Sequence, residues 1–295
     1  SAMVVVAGGT STLGSRVVRR LVRRGMRVRV LTRRPDRARA VLGEGVEVAF
    51  ADVRDRLGVA DAMLGVRTLV SAVHAFGGSR GVSPASLERA ATGSLLAAAQ
   101  EARAAFVYMS AVGVSPDHPL ELFRAKHAAE ELVRASTIPW TIVRSTPIVE
   151  TWGRAMGEPL RATGRARVLG RGDNPINFVS VHDVAAVVEA VVLDPTLQRR
   201  LLEVGGPANI TFNQLAEMLQ EVVGVRGTVR HVPRTALRLV GHAVAPVRPS
   251  LARAARAATV MDTEDMTFDA VPARREIPGL PVTDVRTALA AFLAQ

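Results

Sequence analysis

A short apolar run, Met3 to Val6, ends in Ala7-Gly8-Gly9-Thr10-Ser11-Thr12-Leu13-Gly14, and an amphipathic stretch begins at once. Of all features in the chain, this glycine turn most restricts the fold. Gly8 permits a tight turn after a strand, and Gly14 lets the following helix lie close to that strand. From Leu13 to Arg24 the residues Leu13, Val17, Val18, Leu21 and Val22 share one helical face, and Gly25 ends it. The start of such a helix presents free backbone N–H groups to an anion. Gly8, Thr10, Ser11, Thr12 and Leu13 are therefore expected to surround a pyrophosphate, with Ser11 standing where a middle glycine is common.

The alternation continues. Val28 to Leu31, Val46 to Phe50, Thr68 to Ala72, Ala105 to Ser110 and Trp140 to Val143 read as further strands. Ala85 to Ala102 and Leu120 to Ala135 read as helices between them. Strands alternating with helices imply right-handed crossovers and a doubly wound parallel α/β sheet. The strands are apolar throughout because both sheet faces are covered. Beyond residue 150 the pattern loosens, with glycines and prolines from Gly153 to Pro175. Phe178-Val179 is a short extended piece, His182 to Leu193 a helix, Leu201 to Val204 a strand, and Thr211 to Val222 a helix capped by Thr211. The expected division is a dinucleotide-binding domain over 3–150 and a smaller substrate lobe over 151–295. Segments 176–204 are expected to return to the sheet.

The end of the second strand narrows the ligand. A carboxylate about 20 residues past the turn commonly holds the ribose 2′-hydroxyl of NAD. This chain has Thr32-Arg33-Arg34 there. Guanidinium groups pair with a 2′-phosphate, which a carboxylate would repel. The expected cofactor is therefore NADP(H). Asp52, followed by Val53 at the end of the third strand, either accepts from the adenine amino group or caps the next helix. Ala72, which ends the fourth strand, and Val73 and His74 after it are expected to line the cofactor cleft.

Several segments together resemble the NmrA-like atypical short-chain dehydrogenases. They are Val5-Val6-Ala7-Gly8-Gly9-Thr10 with Leu13-Gly14, Ala51-Asp52-Val53-Arg54-Asp55, Val107-Tyr108-Met109-Ser110-Ala111-Val112-Gly113, and Phe123-Arg124-Ala125-Lys126 with Glu130-Glu131. Trp140-Thr141-Ile142-Val143-Arg144, Phe178 through Ala185, and Val204-Gly205-Gly206-Pro207 extend the likeness over residues 3 to 220. The resemblance implies a Rossmann fold and a bound nicotinamide cofactor. It implies less about reaction, because the family holds both reductases and silent redox sensors. Reductases of the wider superfamily use a Tyr four residues before a Lys, and a Ser at the end of strand five. Ser110 and Lys126 match, but Leu122 stands in the tyrosine's place. The single tyrosine, Tyr108, is expected to face the core.

Lys126 is the one lysine among 38 basic residues, and it falls where the superfamily places its lysine. It is expected to hold the nicotinamide ribose, with Ser110 facing the substrate. The acid is left between Lys126 and His118, which Asp117 would orient. Thr146, Pro147 and Ile148, after the sixth strand, are expected to flank the nicotinamide. His182-Asp183 is read as structural, with Asp183 bracing a helix start.

With no cysteine, thiolate catalysis and disulfides are excluded, and no two of the six histidines sit four residues apart as a helical metal pair would. No uncharged apolar run reaches the ~18 residues of a membrane span. The chain starts as a glycine-punctuated strand rather than a signal peptide, so a cytoplasmic location is expected. The net charge of +11 is read as arginine habit rather than as a nucleic-acid surface, since Trp and Tyr number only two and one. The basic stretch from Arg234 to Arg256 is read foremost as a lid over the substrate, then as a membrane-surface helix or an oligomer face. Pro246 and Pro249 argue against one continuous interfacial helix. The expected activity is NADP(H)-dependent reduction of an apolar conjugated carbonyl or quinone-like molecule by a monomer or homodimer, with no nucleic acid or membrane as partner. Leu122 keeps open a non-catalytic redox sensor with a protein partner, and a non-redox isomerase or cyclase stands as a third reading.

Overall fold

Met3–Ala7 forms strand β1, and every residue of it is buried, as the centre of a sheet covered on both faces requires. The computed structural model describes residues 2–73 and 81–295. In chain order the elements are β1, α1 (Thr12–Arg23), β2 (Arg27–Thr32), α2 (Pro35–Leu42), β3 (Glu47–Phe50), α3 (Arg56–Asp61), β4 (Val66–Ser71), α4 (Pro84–Ala102), β5 (Ala105–Ala111), α5 (Glu121–Arg134) and β6 (Trp140–Ser145). Then follow α6 (Val149–Thr163), β7 (Arg165–Leu169), β8 (Ile176–Asn177), α7 (Val181–Leu193), β9 (Arg200–Val204), β10 (Asn209–Ile210), α8 (Phe212–Val223), β11 (Thr228–Val232), α9 (Arg234–Ala243), α10 (Pro249–Thr263), α11 (Val271–Glu276) and α12 (Val285–Leu293).

The chain divides into two compact units. The first comprises Ser1–Ser145, Val181–Val204 and Ala273–Pro281. Its sheet has seven strands in the order β3-β2-β1-β4-β5-β6-β9, all pairs parallel. The doubly wound parallel fold expected from the alternation is therefore what the chain adopts. The order runs outward from β1 to β3 and then resumes on the other side at β4. Such a reversal leaves a crevice between the carboxyl ends of β1 and β4. Leu69, Leu95, Phe106, Tyr108 and Ile142 are among the buried side chains of the core under α3, α4 and α5.

The second unit comprises Thr146–Ser180, Gly205–Pro272 and Val282–Gln295. It contains a parallel pair, β7 with β11, and an antiparallel pair, β8 with β10. Leu160, Phe178, Leu215, Leu219 and Leu289 lie in its core. Gly153 and Gly157, at the start of the stretch where the sequence pattern loosens, lie inside α6. A Cβ at Gly153 would stand 2.4 Å from Leu289 Cδ2. Gly153 thus serves close packing of α6 on Leu289, a need no local pattern announces. The helix after Thr211 has the expected cap, extended to a full capping box with Gln214.

Candidate dinucleotide site

At the carboxyl end of β1 the turn closes through Ser11. Its Oγ donates to the Gly8 carbonyl at 2.8 Å and accepts from the Gly14 amide at 2.9 Å. Ser11 is thus the N-cap of α1, which explains a serine where a glycine is common. The amides of Thr12 and Leu13, in the first turn, can reach no carbonyl within the helix. They are the donors left for an anion.

Gly8 has φ +80°, and a Cβ there would lie 2.3 Å from the Ala72 carbonyl oxygen. The turn after β1 and the chain after β4 therefore meet at the reversal of strand order, which brings Gly8, Ala72 and Val73 together. A Cβ at Gly14 would lie 1.9 Å from the Gly8 carbonyl oxygen. That atom is backbone and cannot swing aside. Gly14→Ala is expected to cost about 3 kcal/mol or more, the upper range of overpacking, and to remove dinucleotide affinity. A thermal melt with a parallel calorimetric titration checks both, and an unchanged affinity would contradict this packing. Thr10, Ser11, Thr12 and Leu13 are half-buried around the same turn.

Arg33 and Arg34 follow β2 and are both exposed. The Arg33 guanidinium lies 4.0 Å from Asp52 Oδ2. Asp52 is already engaged by Arg54, whose Nε and Nη2 donate to its two oxygens at 3.0 and 2.7 Å. The Arg54 hydrogen bond outweighs the opposing effect of burial, and Arg33 adds its charge, so the carboxyl falls to about 2. A depressed carboxyl stabilises the fold above its unfolded pKa near 3.8, and loses that contribution as pH falls through about 2. The helix-capping alternative for Asp52 is corrected: Asp55 caps α3, accepting from the Leu57 amide. Arg54 was not singled out from the sequence, although it belongs to a segment that carries the family resemblance. Val53 and Val73 pack, partly buried, against the core of the first unit.

Two buried ionic clusters lie under this edge. In one, Ser110 Oγ donates to Glu130 Oε2 at 2.6 Å, and Arg144 grips both oxygens of Glu130 at 2.8 and 2.6 Å. Ser110, expected at the substrate, thus directs its hydroxyl to Glu130. In the other, Lys126 Nζ donates to Glu88 Oε1 and to the Met109 carbonyl, each at 3.2 Å. The Tyr108 hydroxyl donates to the same Glu88 oxygen. Burial first, then the Glu88 charge, holds the Tyr108 hydroxyl well above its usual pKa. Tyr108 is buried as expected and supplies no proton to solvent. Glu88 was not singled out from the sequence, and Glu130 and Arg144 entered only within segments that carry the family resemblance. Their signal was present: Glu88 falls on the stripe of Thr92, Leu95 and Ala99 in α4, and a charge on a buried stripe needs a partner.

His118 is half-buried beside Phe123, ring centroids 4.6 Å apart. Its Nδ1 accepts from the Leu120 amide at 3.0 Å, while Asp117 accepts from Ser115. Asp183 is buried and meets Arg274 at 3.5 Å. Thr146, Pro147 and Ile148 fall in the second unit, where the Thr146 hydroxyl bonds Asn177 at 2.9 Å. His74 lies outside the described residues. Among the described residues no group of three or more His, Asp or Glu is placed to hold a metal, and no helix is long and apolar enough to cross a membrane.

A family model described as NAD(P)H-binding matches residues 8–195. The (4-alkanoyl-5-oxo-2,5-dihydrofuran-3-yl)methyl phosphate reductase of Streptomyces griseus is 33% identical over 223 residues, 75% of this chain and 74% of that protein. The NAD(P)H azoreductase of Xenophilus azovorans is 26% identical over 229 residues, with the same coverage. The structure of the NADPH-dependent quinone oxidoreductase of Escherichia coli in complex with NADPH superposes with a TM-score of 0.78 at 22% identity, over 99% of this chain and all of that one.

Proposed function

The chain belongs to the NAD(P)H-binding family, and from that membership we propose an NADP(H)-dependent oxidoreductase of the NmrA-like atypical short-chain dehydrogenase type. Its acceptor is a conjugated carbonyl or quinone-like small molecule. One observation carries the choice of NADP(H). Where an NAD site would present a carboxylate, this site presents exposed Arg33 and Arg34, and the nearby Asp52 is neutralised by Arg54. A 2′-phosphate would meet cations and no free acid. The amides of Thr12 and Leu13 fit the pyrophosphate, and Gly8 leaves the backbone bare where a Cβ would block the crevice.

Bound NADPH supplies a hydride, and an acceptor of two electrons and two protons takes one of its protons from elsewhere. Leu122 carries none, and the buried Tyr108 hydroxyl is committed to Glu88. A quinone or enone accepts hydride with less acid assistance than an isolated ketone, because charge spreads over the conjugated system and solvent can protonate the product. The relatives named for a dihydrofuranone, an azo compound and a quinone support an acceptor of this kind. Lys126 is assigned to the nicotinamide ribose, with its ammonium fixed by Glu88 and the Met109 carbonyl.

The test is NADPH consumption over a panel of quinones and enones. Turnover with at least one conjugated acceptor, and a weaker rate with NADH, is the expected result. Tight NADPH binding with no consumption across the panel would overturn the oxidoreductase reading in favour of a sensor.

A further inference from the structure

Between Glu221 and Asp262 the chain has no acidic residue, yet it has seven arginines and two histidines. Residues 222–261 thus carry a net +7 with no acid to offset it, and residues 1–35, with nine arginines before the first acid at Asp36, are as basic. What sets 222–261 apart from the amino-terminal stretch is the exposed large apolar side chains that stand among its arginines.

The same stretch folds into two packed helices. Leu237 of α9 meets Ala255 and Ala258 of α10 in a small apolar core. Arg256 donates to the Gly241 carbonyl at 3.0 and 3.3 Å and ties the helices together. Arg234 is spent on Asp262. The connection, residues 244–248, carries Val247, which is 81% exposed, with Leu239 at 67% and Leu251 at 45% on its two sides. Arg238 and Arg248 stand exposed beside them. Three exposed large apolar side chains within thirteen residues are thus accompanied by guanidinium groups and by no carboxylate.

We propose that the α9–α10 hairpin docks on an anionic lipid surface. Val247, Leu251 and Leu239 enter the boundary between headgroups and acyl chains, and the arginines pair with lipid phosphates and anionic headgroups. The arginine stems can lie along that apolar boundary while their heads remain among the headgroups. A nucleic acid would satisfy the charge but leave the valine and leucines in water. The prolines that argued against a membrane in the sequence lose their force in the fold. Pro246 sits in the connection, and Pro249 occupies the first turn of α10, where a missing N–H costs nothing. Neither interrupts a helix. The inference goes beyond the cofactor reading and depends on no part of it.

The full chain is tested by sedimentation with phosphatidylcholine vesicles, with and without phosphatidylglycerol. Partition is expected to be about tenfold or more stronger with the anionic lipid, as two or three basic groups near a charged surface provide, and to weaken with added salt. Because the chain has no cysteine, Val247→Cys carries one environment-sensitive dye. That dye is expected to shift to the blue with anionic vesicles, whereas a dye at Leu64→Cys, another exposed position, stays in water. Val247→Asp with Leu251→Asp, both at the surface, is expected to reduce partition about tenfold or more with the melting temperature unchanged. No partition into anionic vesicles, a dye at 247 that remains in water, or partition indifferent to the two aspartates would overturn the proposal. Duplex DNA binding as tightly as the vesicles bind, and equally indifferent to those aspartates, would reassign the surface to nucleic acid. A dimer abolished by the same substitutions, without vesicle binding, would reassign it to a second copy of the chain.

Discussion

Replacing Arg33 and Arg34 together with alanine is expected to weaken NADPH binding on the order of 100-fold, while NADH binding changes by no more than about threefold; each charge-assisted hydrogen bond to the phosphate is worth roughly 1.5–3 kcal/mol. The effect should fall on one coenzyme because both side chains are exposed and end at β2. Neither holds the core together, so the melting temperature should scarcely move. Arg54 makes the experiment sharper. It neutralises Asp52 through two short bonds, so losing Arg33 does not by itself release a bare carboxylate. Arg54→Ala does release one, and is expected to penalise NADPH again with NADH little affected. Calorimetry on the parent chain and both variants reads this directly. If the parent binds neither coenzyme, or prefers NADH, the cofactor reading fails. If the parent prefers NADPH and the double variant keeps that preference, the assignment to Arg33 and Arg34 fails instead.

The legible parts of this molecule share one property, which is that their cause is local. Gly8 and Gly14 could be read because a strand, a turn and a helix follow one another within fourteen residues. Thr211 could be read as a cap because its partner amide, on Gln214, is three residues away. The alternation of apolar strands with amphipathic helices could be read for the same reason. What escaped was decided by partners far along the chain. Gly153 opens the stretch where the pattern loosens, and its partner Leu289 lies far along the chain. Ser110 is expected to face a substrate, and nothing near it in sequence announces that Glu130, twenty residues on, accepts from its hydroxyl. The prolines of the basic stretch from Arg234 to Arg256 were read as dividing it, and the fold does divide it there into α9 and α10, but how the two helices pack on each other was not legible.

Lys126 brings both kinds of evidence together, and Lys126→Met is expected to lower the melting temperature on the order of 10 °C. The side chain is buried and bonded to Glu88 and Met109. Removing one partner of a buried ion pair leaves a desolvated charge and costs roughly 3–5 kcal/mol. At a few degrees per kcal/mol for a chain this large, that sets the size of the shift. The remaining Glu88 carboxylate would keep only the Tyr108 hydroxyl, itself already pushed far from ionisation. Neutralising the carboxylate as well, in Lys126→Met with Glu88→Gln, removes the stranded charge, and most of the lost stability is expected to return. This restored protein separates two roles that the single variant confounds. If Lys126 holds the nicotinamide ribose, its absence still weakens NADPH binding about tenfold, the value of one charged hydrogen bond, although the fold has recovered. If the lysine serves only to neutralise Glu88 beneath the sheet edge, affinity and turnover recover together with the melting temperature. Recovery of all three would leave the ribose without its assigned partner, and the lone lysine of an arginine-rich chain would then owe its place to the core rather than to the cofactor.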